Sequence, residues 1–301
     1  MDLLSKPAIQ SFIDYLKFEK RYSSFTIRAY HDDLVQFFNF IYQQYGEIKL
    51  KKISHNFIRS WLALLKEEKN TARTINRKIS TLKSFFKFHL KQGAIHNTPM
   101  SKIITPKTSK RLPVFIKEED ITNLINTLKN NTEDWEGQNK KMLILLFYAT
   151  GIRLSELINL RENQIDYFKK QIKVLGKGNK ERIIPIGEEI INHIKAYIQL
   201  KRKEFAEPDN SLLVTPKGKK LYPRYAYKLV NDLLNETVKT LDKKSPHVLR
   251  HTFATHLMNN GANLDAVKEL LGHASLASTQ VYTHNTIEKL KDVYKKSHPK
   301  A

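Results

Sequence analysis

Apolar residues at helical spacing run through the chain as far as Phe86, and then the pattern stops. Ile9, Phe12, Ile13 and Leu16 follow the i, i+3, i+4, i+7 spacing of one buried helix face. Ile27, Tyr30, Leu34, Phe37, Phe38 and Ile41 make a second stripe. Ile58, Trp61, Leu62 and Leu65 make a third, with Ser54 placed to cap its helix, and Ile75, Ile79, Leu82 and Phe86 make a fourth. From His96 to Val114 the periodicity is lost. Pro99, Pro106 and Pro113 punctuate a stretch that carries Lys102, Lys107, Lys110 and Arg111, which reads as an extended basic linker. Four amphipathic helices followed by such a break predict a helical domain that closes on itself.

Beyond the linker the chain is mostly helical with one β insert. Ile121, Leu124, Ile125 and Leu128 form a helical stripe, and Met142 to Tyr148 read as a buried helix. Gln164–Phe168, Gln171–Leu175 and Glu181–Ile186 are short β-prone runs, the last two joined by a hairpin turn at Gly176, Gly178 and Asn179. Helices are predicted over Glu188–Phe205, Tyr225–Leu241, His247–Asn260 and Leu264–Leu271, with stops at Asn260-Gly261 and Gly272.

The chain has 301 residues, two domains' worth at roughly 150 each. Its 52 lysines and arginines against 30 acids give a formal net charge of +22, the balance expected of a nucleic-acid binder. A basic membrane-surface protein is the rival, so the distribution of charge decides. On the fourth helix Arg73, Arg77, Ser80, Thr81, Ser84, Lys87 and Lys91 recur three or four apart and share the side opposite the apolar stripe. A cationic face interrupted by hydroxyls, with few balancing acids, suits phosphate contacts in a major groove; a solvated face is the alternative. Arg73, Arg77, Lys83 and Lys87 are the candidate DNA contacts. The apolar stripe is needed for the core, which disfavours a membrane-surface helix.

The absence of cysteine excludes disulfides, thiolate catalysis, iron–sulfur clusters and Cys-ligated zinc. The opening MDLLSKPAIQ is too polar for a signal peptide. The longest nearly uncharged run, Met142 to Ile152, falls short of the roughly 20 residues that span a bilayer. A soluble, cytoplasmic protein is expected.

Gly176-Lys177-Gly178-Asn179-Lys180 lacks the Gly-Lys-Ser/Thr of a phosphate-binding loop and reads as a hairpin tip. His247 and His251 have metal-ligand spacing, but Val248 stands where a zinc protease needs Glu, and His256 falls on another face; ordinary histidines are the expectation. In Pro246-His247-Val248-Leu249-Arg250-His251-Thr252, His247 and Arg250 can converge on one anion from one helix face. Leu270-Leu271-Gly272-His273 sets a histidine beside a helix stop, and nine residues later stands Tyr282.

Taken together and in order, these segments resemble the tyrosine site-specific recombinases of the phage integrase family. Ala149-Thr150-Gly151-Ile152-Arg153-Leu154-Ser155-Glu156-Leu157 is similar to their first arginine motif, and Gly176-Lys177-Gly178-Asn179-Lys180-Glu181-Arg182 to their catalytic hairpin. His247-Val248-Leu249-Arg250-His251 resembles their His-x-x-Arg box, and Leu270 through His284 the segment with the nucleophile. The compact form is most like the bacterial Xer recombinases.

The resemblance implies a mainly α, two-domain fold: a helical core-binding domain over 1–98, a basic linker over 99–113, and a mostly helical catalytic domain with a small antiparallel sheet over 114–301. It implies Tyr282 as nucleophile, His247 as its proton acceptor, Arg153 and Arg250 as the phosphate clamp, His273 as a further donor and Lys177 as general acid. Glu156 would support Arg153. Neither metal nor cofactor is expected. The implied partners are duplex DNA with paired half-sites and three further protomers, identical or of a second recombinase, with a regulatory protein possible. Ile287, Leu290, Val293 and Tyr294 are spaced as a short helix, which in the family packs on a neighbouring subunit; a tail folded on its own domain is the alternative. Chromosome-dimer resolution is the expected role. An integrase or invertase of a mobile element would use the same residues, a type IB topoisomerase shares the tyrosine chemistry, and a non-catalytic DNA-binding protein is the remoter alternative.

Overall fold

The computed structural model describes residues 5–108, 114–130, 134–176, 181–238, 241, 244–272 and 284–300. They fall into two compact units, divided between Arg111 and Leu112.

The first unit holds α1 (Ser5–Asp14), α2 (Ser24–Tyr45), α3 (His55–Glu67) and α4 (Ala72–Lys91). Ser23 and Thr71 cap α2 and α4, accepting the N–H of Thr26 at 3.3 Å and of Thr74 at 3.2 Å. Ser54 does stand at the N-cap of α3, but its side chain takes no capping hydrogen bond. All four stripes close on one core: Ile9, Phe12, Leu16, Leu34, Phe37, Phe38, Ile41, Ile58, Trp61, Leu65, Ile75, Ile79, Leu82 and Phe86 are buried. Aromatic edges fill it, with Phe12 against Phe85 at 5.5 Å and Phe37 against Trp61 at 5.1 Å. Ile95, Met100 and Ile103 join the same core, and Asn76 donates to the Pro106 carbonyl at 2.9 Å. The proline-punctuated segment is therefore packed on the helical unit as far as Pro106.

The second unit begins with α5 (Glu118–Asn130), α6 (Trp135–Thr150) and the one-turn α7 (Leu154–Leu157). Strands β1 (Ile165–Asp166), β2 (Gln171–Leu175) and β3 (Glu181–Pro185) follow, then α8 (Glu188–Glu204), α9 (Pro223–Thr237), α10 (Pro246–Asn259), α11 (Leu264–Leu271) and α12 (His284–Ser297). The run from Met142 to Thr150 is buried on every side because α5, α8 and α10 all pack on α6. Pro223 and Pro246 occupy first turns, where a missing N–H leaves no bond unmade. The sheet is antiparallel in the order β1-β2-β3, with Ile172 opposite Ile184 and Val174 opposite Arg182. These four side chains share its buried face. The register leaves residues 176–180 to connect β2 to β3, as a hairpin requires.

The tail lies on its own unit. Leu290 and Tyr294 of α12 are buried with Phe253, Leu257, Val267, Leu270 and Leu271. His298 stacks on Tyr294 at 4.9 Å and pairs with the Tyr148 carbonyl at 3.1 Å. No helix among the described residues is long and apolar enough to cross a membrane.

Candidate active site and the cationic face of α4

The site is built where α6 ends. Gly151 turns the chain in the left-handed region, at φ +55°, and a Cβ on it would stand 2.4 Å from the Phe253 ring. Only glycine fits both demands. The turn delivers Arg153 to the N-cap of α7, where Glu156 reaches back to accept the Arg153 N–H at 2.9 Å. The same carboxylate accepts from the Arg153 guanidinium at 2.8 Å. From β3, Arg182 forks both Glu156 oxygens at 2.8 Å each. From α10, Arg250 donates to the Gly151 carbonyl at 2.5 Å.

Three arginines then converge on one helix end. Arg182 Nε donates to the carbonyl of Leu270 at 3.0 Å, Arg250 to Leu271 at 2.6 Å, and Arg153 to Gly272 at 2.9 Å. These are successive carbonyls at the C-terminus of α11, which have no partner within the helix and carry its negative dipole end. Gly272, at φ +62°, closes the helix there.

Burial alone would push the Glu156 carboxyl up, but the hydrogen bonds and charge of Arg182, and then those of Arg153, outweigh it and hold it down to about 2. Arg250 is lowered to about 10, first by desolvation and then by repulsion from Arg153 and Arg182. It stays a cation at neutral pH. Three guanidiniums against one carboxylate leave a partly desolvated cluster with unbalanced positive charge, suited to a phosphate.

Of the residues singled out from sequence, Arg153 and Arg250 are brought together here with Glu156. His247 is exposed on the first turn of α10, one turn before Arg250. Lys177, His273 and Tyr282 lie outside the described residues. His256 is a core histidine, between the Tyr148 hydroxyl at 3.1 Å and the Ile116 carbonyl at 2.8 Å. Arg182 was not singled out by itself. The available signal was its place in β3, where alternation with Ile184 and Ile186 marks a buried position, unusual for arginine.

The face of α4 needs one correction. Arg73, Lys87 and Lys91 are exposed, as the spacing predicts, and so is the candidate contact Lys83. Thr81 is buried, however, and donates to Asp33 at 2.9 Å. Arg77 also pairs with Asp33 while keeping 48% of its side chain exposed. Lys78, on the inner flank, donates to Asp33 at 2.9 Å and stands over the Trp61 ring. Asp33 is an acid that the helix's own sequence does not show, so the cationic face is narrower than its periodicity implies.

Residues 114–289 match the model of the phage integrase family, and residues 9–93 match that of the phage integrase N-terminal SAM-like domain. The chain is 40% identical over 295 residues to tyrosine recombinase XerC of Anoxybacillus flavithermus, covering 96% of this chain and 97% of that one. It is 34% identical over 318 residues to tyrosine recombinase XerC of Chlorobaculum parvum, covering 97% and 94%. Among solved structures, the fold resembles XerH recombinase bound to its palindromic difH substrate (TM-score 0.72, 23% identity, 94% of this chain and 83% of that one). It also resembles the Tn1549 transposon integrase with circular-intermediate DNA (TM-score 0.70, 18% identity, 95% and 98%). Two matched models and relatives of this identity over nearly the full length place the chain in the phage integrase family, among the tyrosine site-specific recombinases.

Proposed function

We propose that this protein exchanges DNA strands at a specific site through a covalent link to Tyr282. The observation that carries the reading is the convergence of Arg153 and Arg250 on the end of α11, ten residues before Tyr282 in sequence. Two guanidiniums fixed by one helix end can each offer donors to the non-bridging oxygens of one phosphodiester, where charge builds in the transition state.

In the first step the Tyr282 oxygen bonds to phosphorus and the bond from phosphorus to the 5′ oxygen breaks. A phenol of pKa about 10 is nearly all protonated at pH 7, so His247 takes its proton. Lys177 gives a proton to the departing 5′ oxygen, and His273 adds a hydrogen bond to the phosphoryl oxygens. The phosphotyrosine keeps the energy of the phosphodiester, so a 5′-hydroxyl from another duplex can reverse the step without ATP. Two such rounds, made by pairs of protomers in a tetramer on paired half-sites, pass through a Holliday junction. The identity to XerC proteins supports chromosome-dimer resolution in the cytoplasm as the role.

The test uses a duplex that the protein selects from random-sequence DNA, nicked so that the cleaved 5′-hydroxyl fragment diffuses away. Wild type becomes trapped as a covalent adduct. Tyr282→Phe binds the duplex equally well and forms none; an adduct with Tyr282→Phe shows that another residue is the nucleophile.

A further inference from the structure

Arg182 stands apart from the other two arginines of the site. Arg153 keeps 32% of its side chain exposed, whereas Arg182 keeps 4% and spends its donors inside the protein. Its fork closes on Glu156, and its Nε–H closes on the carbonyl of Leu270. The guanidinium is planar and rigid, so these two ends cannot shift independently. Its stem is also a wall of the turn that ends α11: a Cβ on Gly272 would lie 2.8 Å from Arg182 Cδ.

Stability does not account for this residue. Arg182 sits opposite Val174 on the buried face of the sheet, where an aliphatic side chain is the ordinary occupant. Replacing a buried ion pair by well-packed apolar groups is often neutral or stabilising. What an aliphatic pair would lose is the geometric tie between α7, β3 and α11.

We propose that Arg182 is a positioning residue for strand cleavage, a rigid strut that sets Arg153 through Glu156 and, from its other edge, sets the end of α11. The guanidinium that meets the phosphate and the point from which the chain runs on to Tyr282 are thus referred to one buried anchor. The proposal rests on the roles of Arg153 and Tyr282 given above. A lysine in this place keeps the charge but cannot fork the carboxylate while holding Leu270 in a fixed plane.

The experiment measures single-turnover cleavage by full-length protein at saturating nicked duplex, the duplex selected from random-sequence DNA, together with its Kd. Arg182→Lys is expected to bind within about twofold of wild type and to cleave on the order of 100-fold more slowly, the effect of a small misplacement of reacting groups. If Arg182→Lys does not fold, Arg182→Gln, which keeps an amide donor in that place and leaves Glu156 paired with Arg153, must show the same split. A purely structural role lowers the amplitude of cleavage, through fewer active molecules, and keeps the rate constant. That result, or a loss confined to Kd, overturns the proposal. Tyr282→Phe runs alongside. Cleavage by Tyr282→Phe overturns the nucleophile assignment and the proposal with it. An inert Tyr282→Phe beside an Arg182→Lys that cleaves at the wild-type rate overturns the role of Arg182 alone.

Discussion

Each unit of this protein buries one carboxylate and gathers cations around it, and the two do so with different consequences. Asp33, in the helical unit, takes Arg77, Lys78 and Thr81, all from α4. Glu156, in the catalytic unit, takes Arg153 and Arg182 from two separate elements, and those arginines go on to hold a third. Asp33 thus fastens one helix to another and trims the charge that α4 can show. Glu156 fixes the relative position of β3, α7 and the end of α11, and so of the arginines proposed to meet a single phosphate. Removing Asp33 lets Arg77 turn to water; removing Glu156 strands Arg182, which has no path to water.

The sharpest break in that comparison is in stability. Glu156→Ala leaves a buried guanidinium without its counter-charge and is expected to cost about 3–5 kcal/mol. Asp33→Ala, which strands chiefly Lys78, is expected to cost about 1–3 kcal/mol. Urea unfolding of the two variants measures both. Equal losses would mean that the two carboxylates do the same structural work.

The next effect is in pH. Glu156 titrates near 4.5 when unfolded and at about 2 when folded, so the folded state holds its proton less tightly. A depressed carboxyl contributes its stability above the unfolded value and loses it as pH falls through the folded one. That contribution is about 3 kcal/mol, present at neutral pH and lost between about pH 4.5 and about pH 2. Urea midpoints taken on descending pH should show the loss in wild type and a shallower one in Glu156→Gln. Matching slopes would place the acid sensitivity on other groups.

The smallest effect sharpens the reading of α4. Arg73→Ala and Lys87→Ala should each flatten the salt dependence of DNA binding by about 0.9 in slope, one phosphate contact apiece. Arg77→Ala should flatten it less, because Asp33 already neutralises part of that charge. Titrations across salt concentrations settle it. An unchanged slope for Arg73→Ala and Lys87→Ala would make the face of α4 ordinary solvated surface.

Much of the fold was legible because burial on a helix is a local matter. The stripes through Ile9, Leu34, Ile58 and Ile79 are written in residues three and four apart, and each was found buried. Gly151 was legible as part of a motif, but the reason for it, a positive φ beside the Phe253 ring, belongs to the fold. Partnerships between distant residues were not. Thr81 and Arg77 belong to α4 by spacing, yet Asp33, over forty positions earlier, decides what they do. Arg182 meets Leu270 across a separation of 88 residues, and only its unlikely position in a strand hinted at a task. Ser54 shows the converse, a residue in the right place that does not make the bond its type suggests. Periodicity records which side of an element is buried; it does not record what a buried charge will pair with.

If strand cleavage proceeds through Tyr282, the covalent link can be mapped to that residue. Adduct trapped on the nicked duplex is digested with nuclease and trypsin and analysed by mass spectrometry. The tryptic peptide spanning residues 269–289 contains Tyr282 as its single tyrosine. A residual nucleotide phosphate is expected on that peptide, attached to Tyr282 and absent when excess unnicked DNA replaces the trapping substrate. A nucleotide found on any other residue, or cleavage with no protein-linked nucleotide at all, would contradict it.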